Sequence, residues 1–511
     1  MTGRALVAGV DSSTQSTKLE LRERDSGRLV CRASAPHSHV RWDPPVSEQD
    51  PEVWWEALSH CFAQCREADR ADVVAVSVAG QQHGLVLVAE DGTVLRPAKL
   101  WNDTTSAPQA RDLVARLGAG EWAQRCGSVP LAAFTIAKLA WVLEHEPEMG
   151  ERTARVMLPH DWLTWRLTGA HVTDRGDASG TGWFDPVRDA VDPGLLAAAV
   201  GDAAPWMDRL PQVLAPTTAA GEITAEAAAD LGLPEGVLVG PGTGDNMAAA
   251  LGLGLRPGDA VISLGTSGTA YCVSSTPVKD PSGAVAGFAD ATGAYLPLVC
   301  TLNATRVTDT VARWLGVDPA ELAALALAAE PNPTPPVLVP YFDGERTPNL
   351  PDATGAFTGL RVDTSRADLA LAAHDGVLCG LLDGLDAIAR AGAEMTGAVT
   401  SGTASSRTDR AAADTGARCY LVGGGARSPA YQVRAAALSG REVTVPTDDE
   451  TVATGAALQA AVVATGSTVT NPFADIAQDW NLGQGQTIPP DPNVDPATIR
   501  KHYQSQTTLL H

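Results

Sequence analysis

Lysine is scarce in this chain of 511 residues, which has only five, at positions 18, 99, 138, 279 and 501. None of the five follows a glycine, so the phosphate-binding motif G-x-x-x-x-G-K-[ST] is absent, and P-loop and ribokinase-like enzymes are disfavoured. Acidic residues outnumber basic ones by 60 to 37, which gives a net charge of −23. So negative a chain is not expected to bind nucleic acid or an anionic membrane surface.

Long apolar runs and paired cysteines are also missing. No stretch of 18 apolar residues occurs, so we expect no membrane span, and Asp11 interrupts the first apolar run too early for a secretion signal. Eight cysteines are scattered without a C-x-x-C pair, which is typical of reduced thiols in a cytoplasmic protein. Cys61 and Cys65 fit the apolar stripe of a helix better than a metal site.

The length of the chain suggests two to four domains. Apolar periodicity predicts a helix that begins after Asp50 and another over 366–393. Residues 398–416 lack such periodicity and are interpreted as a surface insertion. From Pro472 onward the regular pattern is lost, and we expect an irregular tail.

Three turns rich in glycine, serine and threonine each follow an apolar strand. The first turn joins 6–10 to 17–22, the second joins 260–264 to 270–273, and the third lies between strand 419–422 and a helix. The first two look like one hairpin used twice, which is a weak internal repeat. Glycine lets main-chain N–H groups approach a ligand closely, so such turns suit a polyphosphate. One turn alone would mean little, because glycine-rich turns connect strands in many proteins.

Asp245 stands where an apolar strand, 237–239, gives way through a glycine-rich turn to an alanine-rich helix start at 247–251. Ligands gather at such junctions in α/β proteins. A carboxylate beside a group of main-chain amides that can bind phosphate is typical of an enzyme that phosphorylates a hydroxyl group. The alternative is that Asp245 only caps the helix, because Asp is a favoured N-cap residue.

Five segments resemble, in their order and spacing, those of the FGGY family of carbohydrate kinases. They are 9–14, 134–141, 244–246, 265–269 and 423–428, and the resemblance extends from residue 5 to residue 465. The resemblance implies an α/β, two-domain actin/hexokinase/Hsp70-like ATPase fold, made of ribonuclease H-like domains with a cleft between them. The domains implied are an N-terminal one at 1–250, a C-terminal one at 251–470 and a tail at 471–511.

The resemblance also implies ATP and Mg²⁺ as cofactors and assigns the catalytic roles. Asp245 is expected to act as the general base on a sugar hydroxyl, kept ionised by the helix N-terminus. Asp11 is expected to act near Mg²⁺ through water, and its alternative is an Asx-turn at a hairpin tip. The expected nucleotide-binding residues are Ser12, Ser13, Thr14, Gly265, Thr266, Ser267, Gly268, Thr269, Gly424, Gly425, Ala426 and Ser428, the last four bordering the adenosine.

Within the family, the loop 80–84 and the segment 100–103 are most similar to those of xylulokinases, whereas glycerol kinases carry an Arg-Glu pair where Gln82 and His83 stand. Amide and imidazole groups suit a buried polyol because they offer both donors and acceptors. Alternatives are a structural histidine for His83 and a core aromatic for Trp101, and Lys138 is interpreted as a solvated charge. The expected substrate-binding residues are Gln82, His83, Trp101, Asn102, Asp103, Asp245 and Asn246.

The resemblance therefore implies ATP-dependent phosphorylation of D-xylulose to D-xylulose 5-phosphate. The first alternative is a kinase for another sugar or polyol, such as a ribulose, gluconate or glycerol, because only 80–84 and 100–105 distinguish these. The second is a non-catalytic ATP switch of the actin or Hsp70 kind, against which the sugar-side residues argue. The expected partners are a small sugar and ATP, without nucleic acid or membrane, and a homodimer is left open.

Overall fold

Two seven-stranded β-sheets, one in each half of the chain, organise the fold. The computed structural model describes residues 4–38, 41–393, 417–466 and 472–508. Each sheet is built on a hairpin that the sequence predicted. The first hairpin joins Leu6–Ser12 to Ser16–Glu23, and the second hairpin joins Ala260–Leu264 to Gly268–Cys272.

The two sheets repeat one arrangement around these hairpins. The leading strand of each hairpin pairs antiparallel with its partner on one side and parallel with a later strand on the other. The predicted internal repeat is therefore present as a repeated topology. In sheet order, the first sheet contains Gly221–Glu222, Leu238–Val239, Val73–Gly80, Leu6–Ser12, Ser16–Glu23 and Leu29–Pro36, with Thr243–Gly244 also paired to Val73–Gly80. The second contains Ala286–Ala289, Tyr295–Thr301, Gly268–Cys272, Ala260–Leu264, Cys419–Val422, Val443–Pro446 and Gly485–Ile488.

Helices cover both sheets, and short strands join the surrounding segments. A small three-stranded sheet consists of Arg41–Asp43, Val46–Gln49 and Ala98–Lys99. Four two-stranded sheets pair Val86–Val88 with Arg155–Met157, Val172–Asp174 with Gln212–Leu214, Phe184–Asp185 with Ala190–Val191, and Val337–Val339 with Ala356–Thr358. The helices are Glu52–Gln64, Glu67–Arg70, Ala107–Leu117, Ala119–Cys126, Thr135–His145, Pro147–Arg152, Pro159–Thr168, Arg175–Ala178, Pro193–Val200, Ala204–Met207, Ala225–Leu231, Asp245–Gly252, Thr305–Leu315, Pro319–Leu327, Arg366–Arg390, Pro429–Ser439, Thr451–Thr465, Pro472–Asp479 and Pro496–Thr507, with a 3₁₀ turn at Gly424–Arg427. We call Asp245–Gly252 the Asp245 helix and Thr451–Thr465 the crossing helix.

The crossing helix packs against the first sheet and the Asp245 helix, although it comes late in the chain. Glycines permit this close approach, because any side chain there would meet backbone atoms. A Cβ at Gly455 would lie 1.8 Å from the carbonyl oxygen of Ala248, and one at Gly9 would lie 2.0 Å from that of Ala453. The leading strand of the first hairpin and the Asp245 helix therefore both rest on the crossing helix.

The C-terminal segment is more regular than expected. It forms the helix Pro472–Asp479, the strand Gly485–Ile488 and the helix Pro496–Thr507, and the strand pairs with Val443–Pro446 at the edge of the second sheet. The expectation of an irregular tail is thus wrong, because pairing with a neighbouring strand supplies the order that a short polar strand lacks by itself. The segment 398–416 lies outside the described residues, and the division into domains at 250 and 470 stays a prediction.

Two of the eight cysteines are joined. Cys31, on strand Leu29–Pro36, forms a disulfide with Cys65, which directly follows the helix Glu52–Gln64. The expectation that all the thiols are reduced is wrong for this pair, because the helix packs across the strand and brings the two Cα atoms within 6.0 Å. Within the described ranges, no helix combines the length and the apolar character that a membrane crossing requires.

Candidate active site

Asp245 is the first residue of its helix and directly follows the short strand Thr243–Gly244, which pairs with the end of strand Val73–Gly80. Its Oδ1 accepts hydrogen bonds from the main-chain N–H of Asn246 at 2.7 Å and from the Asn246 amide at 2.8 Å. The N-cap position belongs to Gly244 instead. Asp245 therefore does not serve as the N-cap, and the residue as a whole is half-buried at the junction of strand and helix.

Burial sets the electrostatics of this carboxyl group. It raises the pKa of Asp245 from its ordinary value to about 6, although the hydrogen bonds from Asn246 oppose the rise. The helix N-terminus was expected to keep the group ionised, and at neutral pH it is still ionised in about nine molecules of ten. A base poised one unit below working pH both holds its charge and accepts a proton readily.

Asp11, at the end of the leading strand of the first hairpin, is the second buried carboxylate of the site. It lies 3.5 Å from Nζ of Lys18, its register partner across the hairpin, and Lys18 also contacts Glu450 at 2.9 Å. Burial raises the pKa of Asp11 to about 7; Lys18 opposes the rise, and Glu450 and Asp245 add to it. The charges of Asp11 and Asp245 are therefore close enough to influence each other.

The residues around Asp11 fit the expected Mg²⁺. Across the described part of the chain, no three His, Cys, Asp or Glu side chains form a ligand group. Mg²⁺ does not need such a group in a kinase, because it is commonly held by one or two carboxylates together with phosphate oxygens and water. Oδ1 of Asp11 is buried and has no hydrogen-bond partner among the residues described, which leaves it available to a metal-bound water.

The tip of the first hairpin connects the predicted phosphate and sugar sides. The hydroxyl of Thr14 accepts from Nε1 of Trp101 at 3.0 Å and donates to Oε1 of Gln81 at 3.2 Å. Trp101 keeps 36% of its surface exposed, so it is not a core aromatic. The main-chain N–H and the hydroxyl of Ser13 both bond the carbonyl oxygen of Ser16, which closes the turn around a compact tip.

The structure brings together the second hairpin and the third glycine-rich turn. Thr266 and Ser267 are exposed at the hairpin tip, and Gly265 accepts two hydrogen bonds from Thr305 at the start of a helix. Gly423, with φ of 86°, packs against Leu264 so closely that a Cβ would lie 2.7 Å from its carbonyl oxygen. The exposed residues of both turns therefore lie close together. Their predicted contacts with ATP stay predictions.

Gln82 and Asn246 form one hydrogen-bonded unit with the carboxylate. Nδ2 of Asn246 donates to Oε1 of Gln82 at 2.8 Å, as well as to Asp245. Gly244 leaves room for this contact, since a Cβ there would lie 2.7 Å from Cγ of Gln82. The amide nitrogen of Gln82 is buried and has no partner within the part of the chain that is described. The structure thus supplies a free donor beside the carboxylate.

His83 is held in an unusual conformation, with φ of 63°, which favours glycine over other residues. Its ring stacks on Phe134, with centroids 5.3 Å apart, and lies 5.4 Å from Phe288 of the second half. Burial lowers the pKa of His83 well below its usual range, and the charges of Lys138 and Arg346 lower it further, so the ring is neutral. Nδ1 is unpartnered among the described residues. A neutral, fixed imidazole with a free nitrogen is suited to a hydroxyl ligand.

Asn102 and Asp103 differ in the hydrogen-bonding capacity that their side chains leave available for a ligand. Oδ1 of Asn102 is buried without a partner in the described ranges. Asp103 is fully buried, and its oxygens accept from the main-chain N–H groups of Ser47 and Thr105 and lie 3.4 Å from Nζ of Lys99. The hydrogen bonds of Asp103 are therefore made within the protein, which argues against the expected contact of Asp103 with the substrate.

Sequence reasoning misjudged one lysine and missed two charged groups. Lys138 is not solvated: it is fully buried, and its ammonium donates to the carbonyl oxygen of Ala133. Burial lowers its pKa to about 7. Lys18 could have been found, because a two-stranded hairpin places it opposite Asp11. Glu450 could not, because only the return of the crossing helix brings it to the first hairpin.

Both halves of the chain match a known protein family. The N-terminal domain of the FGGY family of carbohydrate kinases matches residues 6–252, and its C-terminal domain matches residues 260–464. The chain belongs to the FGGY family of carbohydrate kinases. It is 48% identical to a xylulose kinase of Streptomyces coelicolor and 46% identical to one of Streptomyces rubiginosus, with 94% of this chain and 92% of each relative covered.

Solved structures show the same fold. The crystal structure of xylulose kinase from Bifidobacterium adolescentis is 40% identical, covers 99% of both chains and superposes with a TM-score of 0.83. A glycerol kinase from Plasmodium falciparum has the same TM-score at 18% identity, with 99% of this chain and 97% of that one covered, which shows the fold alone. The predicted two-domain α/β fold is thereby confirmed.

Proposed function

We propose that this FGGY kinase transfers the terminal phosphoryl group of ATP to D-xylulose, giving D-xylulose 5-phosphate. The observation that supports this most is the unit of Asp245, Asn246 and Gln82. It sets a carboxylate beside the amide nitrogen of Gln82, which has no partner among the described residues, while the Asp11 hairpin lies within electrostatic reach. The xylulose kinases of similar sequence and structure supply the choice of sugar.

The proposed mechanism divides the work among these residues. Gln82, His83 and Asn246 hold sugar hydroxyls, and Asp245 accepts the proton of the hydroxyl that is phosphorylated. The exposed amides of both hairpins hold the phosphate oxygens. Bound Mg²⁺ supplies charge neutralisation at the phosphates, and Asp11 would hold it. A base with a pKa of about 6 is sufficient, because in a loose phosphoryl-transfer transition state the proton leaves late.

The proposed substrate is tested by ADP release from the purified chain with a panel of ketoses and polyols, each at several concentrations with saturating MgATP. We expect the largest kcat/KM for D-xylulose. Ribulose, gluconate and glycerol serve as the comparison sugars, because a higher kcat/KM for any of them would replace the proposed substrate while keeping the kinase. Binding of ATP without ADP release for any sugar would instead support the non-catalytic switch.

The pKa of Asp245 predicts how the reaction responds to acid. Because its carboxylate must be unprotonated to accept a proton, kcat/KM for the sugar should fall by about tenfold per pH unit or more below about pH 6, where Asp11, with a pKa of about 7, also loses its charge. The measurement is kcat/KM between pH 5 and 8, with far-ultraviolet circular dichroism at each pH as the control for folding. A profile that stays flat down to pH 5 in folded protein contradicts the role of this carboxylate as the base.

A further inference from the structure

A buried aspartate that lies outside the sequence motifs connects two distant parts of the first half. Asp174 is the N-cap of the short helix Arg175–Ala178. Its Oδ1 accepts a hydrogen bond from the main-chain N–H of Asp177 at 2.9 Å, and its Oδ2 accepts one from that of Gly176 at 2.8 Å. Oδ2 also accepts from the hydroxyl of Thr243 at 2.8 Å. One carboxylate therefore fixes both the start of this helix and a residue far along the chain.

Thr243 belongs to the short strand that leads directly to the proposed base. The strand Thr243–Gly244 pairs with the end of Val73–Gly80, and Asp245 follows it. Because a strand of two residues makes few ladder hydrogen bonds, side-chain contacts are needed to fix its position. The fully buried hydroxyl of Thr243 supplies such a contact two residues before the base. Asp174 therefore holds the backbone that carries the Asp245 carboxylate.

The helix that Asp174 caps, with the turn after it, packs closely against both the base side and the sugar side. A Cβ at Gly176 would lie 2.9 Å from Cγ of Met247, which belongs to the Asp245 helix. A Cβ at Gly180 would lie 2.3 Å from Cε1 of His83. Because the packing leaves no space at either contact, the positions of the Asp245 helix and of the imidazole both depend on this segment.

The second half of the chain contacts the same segment. The hydroxyl of Ser179 accepts a hydrogen bond from the main-chain N–H of Ala289 at 2.9 Å and donates one to the carbonyl oxygen of Gly176 at 2.6 Å. Ala289 ends the strand Ala286–Ala289, whose Phe288 lies 5.4 Å from the ring of His83. The capped helix therefore also holds the strand of the second half that packs against the imidazole.

We propose that Asp174 is a positioning residue for phosphoryl transfer, which acts through Thr243 and sets the Asp245 carboxylate relative to a sugar held at His83. Asp174 is buried and bonded within the protein, so it does not contact the substrate in this role. A base must lie within hydrogen-bond reach of the attacking hydroxyl, and a small displacement of the base lowers turnover more than sugar affinity. The inference rests on the proposed function and deepens it, because it names the group that holds the base in place.

The test compares Thr243→Val, which removes the hydroxyl and nearly keeps the side-chain shape, with Thr243→Ser, which keeps the hydroxyl. Thr164→Val is the matched control, because Thr164 is equally buried and its hydroxyl has no hydrogen-bond partner among the described residues. The measurements are kcat, the KM for D-xylulose and the thermal unfolding midpoint. Thr243→Val should lower kcat about 10- to 100-fold and change the sugar KM by less than about threefold. Thr243→Ser should keep at least about a third of kcat, and Thr164→Val should match the unaltered chain.

A double variant tests whether Asp174 acts through Thr243. Asp174→Asn and Thr243→Val disrupt the same hydrogen bond, so together they should lower kcat no further than the more damaging single change, within about threefold. Multiplied effects, a Thr243→Ser variant as slow as Thr243→Val, or a Thr243→Val variant as fast as Thr164→Val overturn the inference and leave the proposed function intact. If the unaltered chain released no ADP with any sugar of the panel, the proposed function would fail, and the role of Asp174 with it.

Discussion

Replacing Asp245 by asparagine should lower kcat by about 10²- to 10⁴-fold while the protein stays folded. The substitution keeps the size of the side chain and leaves an oxygen that can accept from the main-chain N–H of Asn246, so the helix start is preserved. It removes the negative charge with which the carboxylate takes the proton of the attacking hydroxyl. Because burial raises the pKa of Asp245 to about 6, its negative charge opposes folding at neutral pH, and removal of that charge should not destabilise the protein.

The measurement is sugar-dependent ADP release together with the thermal unfolding midpoint. Asp230→Asn is the matched control, because Asp230 is an exposed aspartate at the end of another helix of the same half and should give full activity. The sugar KM should change far less than kcat, since Gln82 and His83 remain. If Asp245→Asn kept more than about a tenth of the turnover, the residue would be a structural carboxylate and another base would have to exist.

The local features of this fold could be predicted from the sequence because they are fixed by neighbouring residues. Both hairpins, the strand Cys419–Val422 and the helix Arg366–Arg390 follow from apolar periodicity and turn residues. The junction at Asp245 also follows, since glycine-rich turns interrupt apolar runs. The same patterns placed the amide-rich turns after strands, which is where the structure has them.

Contacts between distant segments could not be predicted in this way. Glu450 reaches Lys18 across 432 residues. Burial was misjudged for Lys138 because one sequence does not show which face of its helix is covered by neighbouring helices. Cys31 and Cys65 were separated by sequence but joined by packing. Each feature that could not be predicted depends on tertiary contacts between segments that are distant in the sequence.

Introducing a methyl group at Gly455 should damage both stability and catalysis, because the space is occupied by backbone. A Cβ at this position would lie 1.8 Å from the carbonyl oxygen of Ala248 and 2.8 Å from the main-chain nitrogen of Gly252. Neither atom can rotate away, so the crossing helix and the Asp245 helix must separate. We expect Gly455→Ala to lower the free energy of unfolding by about 2–4 kcal/mol, at the upper end of the cost of overpacking.

Gly120→Ala is the matched control, since Gly120 is also helical and a Cβ there meets nothing within 4 Å. Alanine should be neutral or stabilising at that site, by up to about 1 kcal/mol. Urea unfolding measures both variants, and ADP release at low temperature measures the activity of the folded fraction. Because Gly9 rests on the same helix, two residues before Asp11, separation should shift both carboxylates, and the folded Gly455→Ala protein should lose most of its turnover. Wild-type stability and turnover in Gly455→Ala would mean that the crossing helix does not set the distance between Asp11 and Asp245.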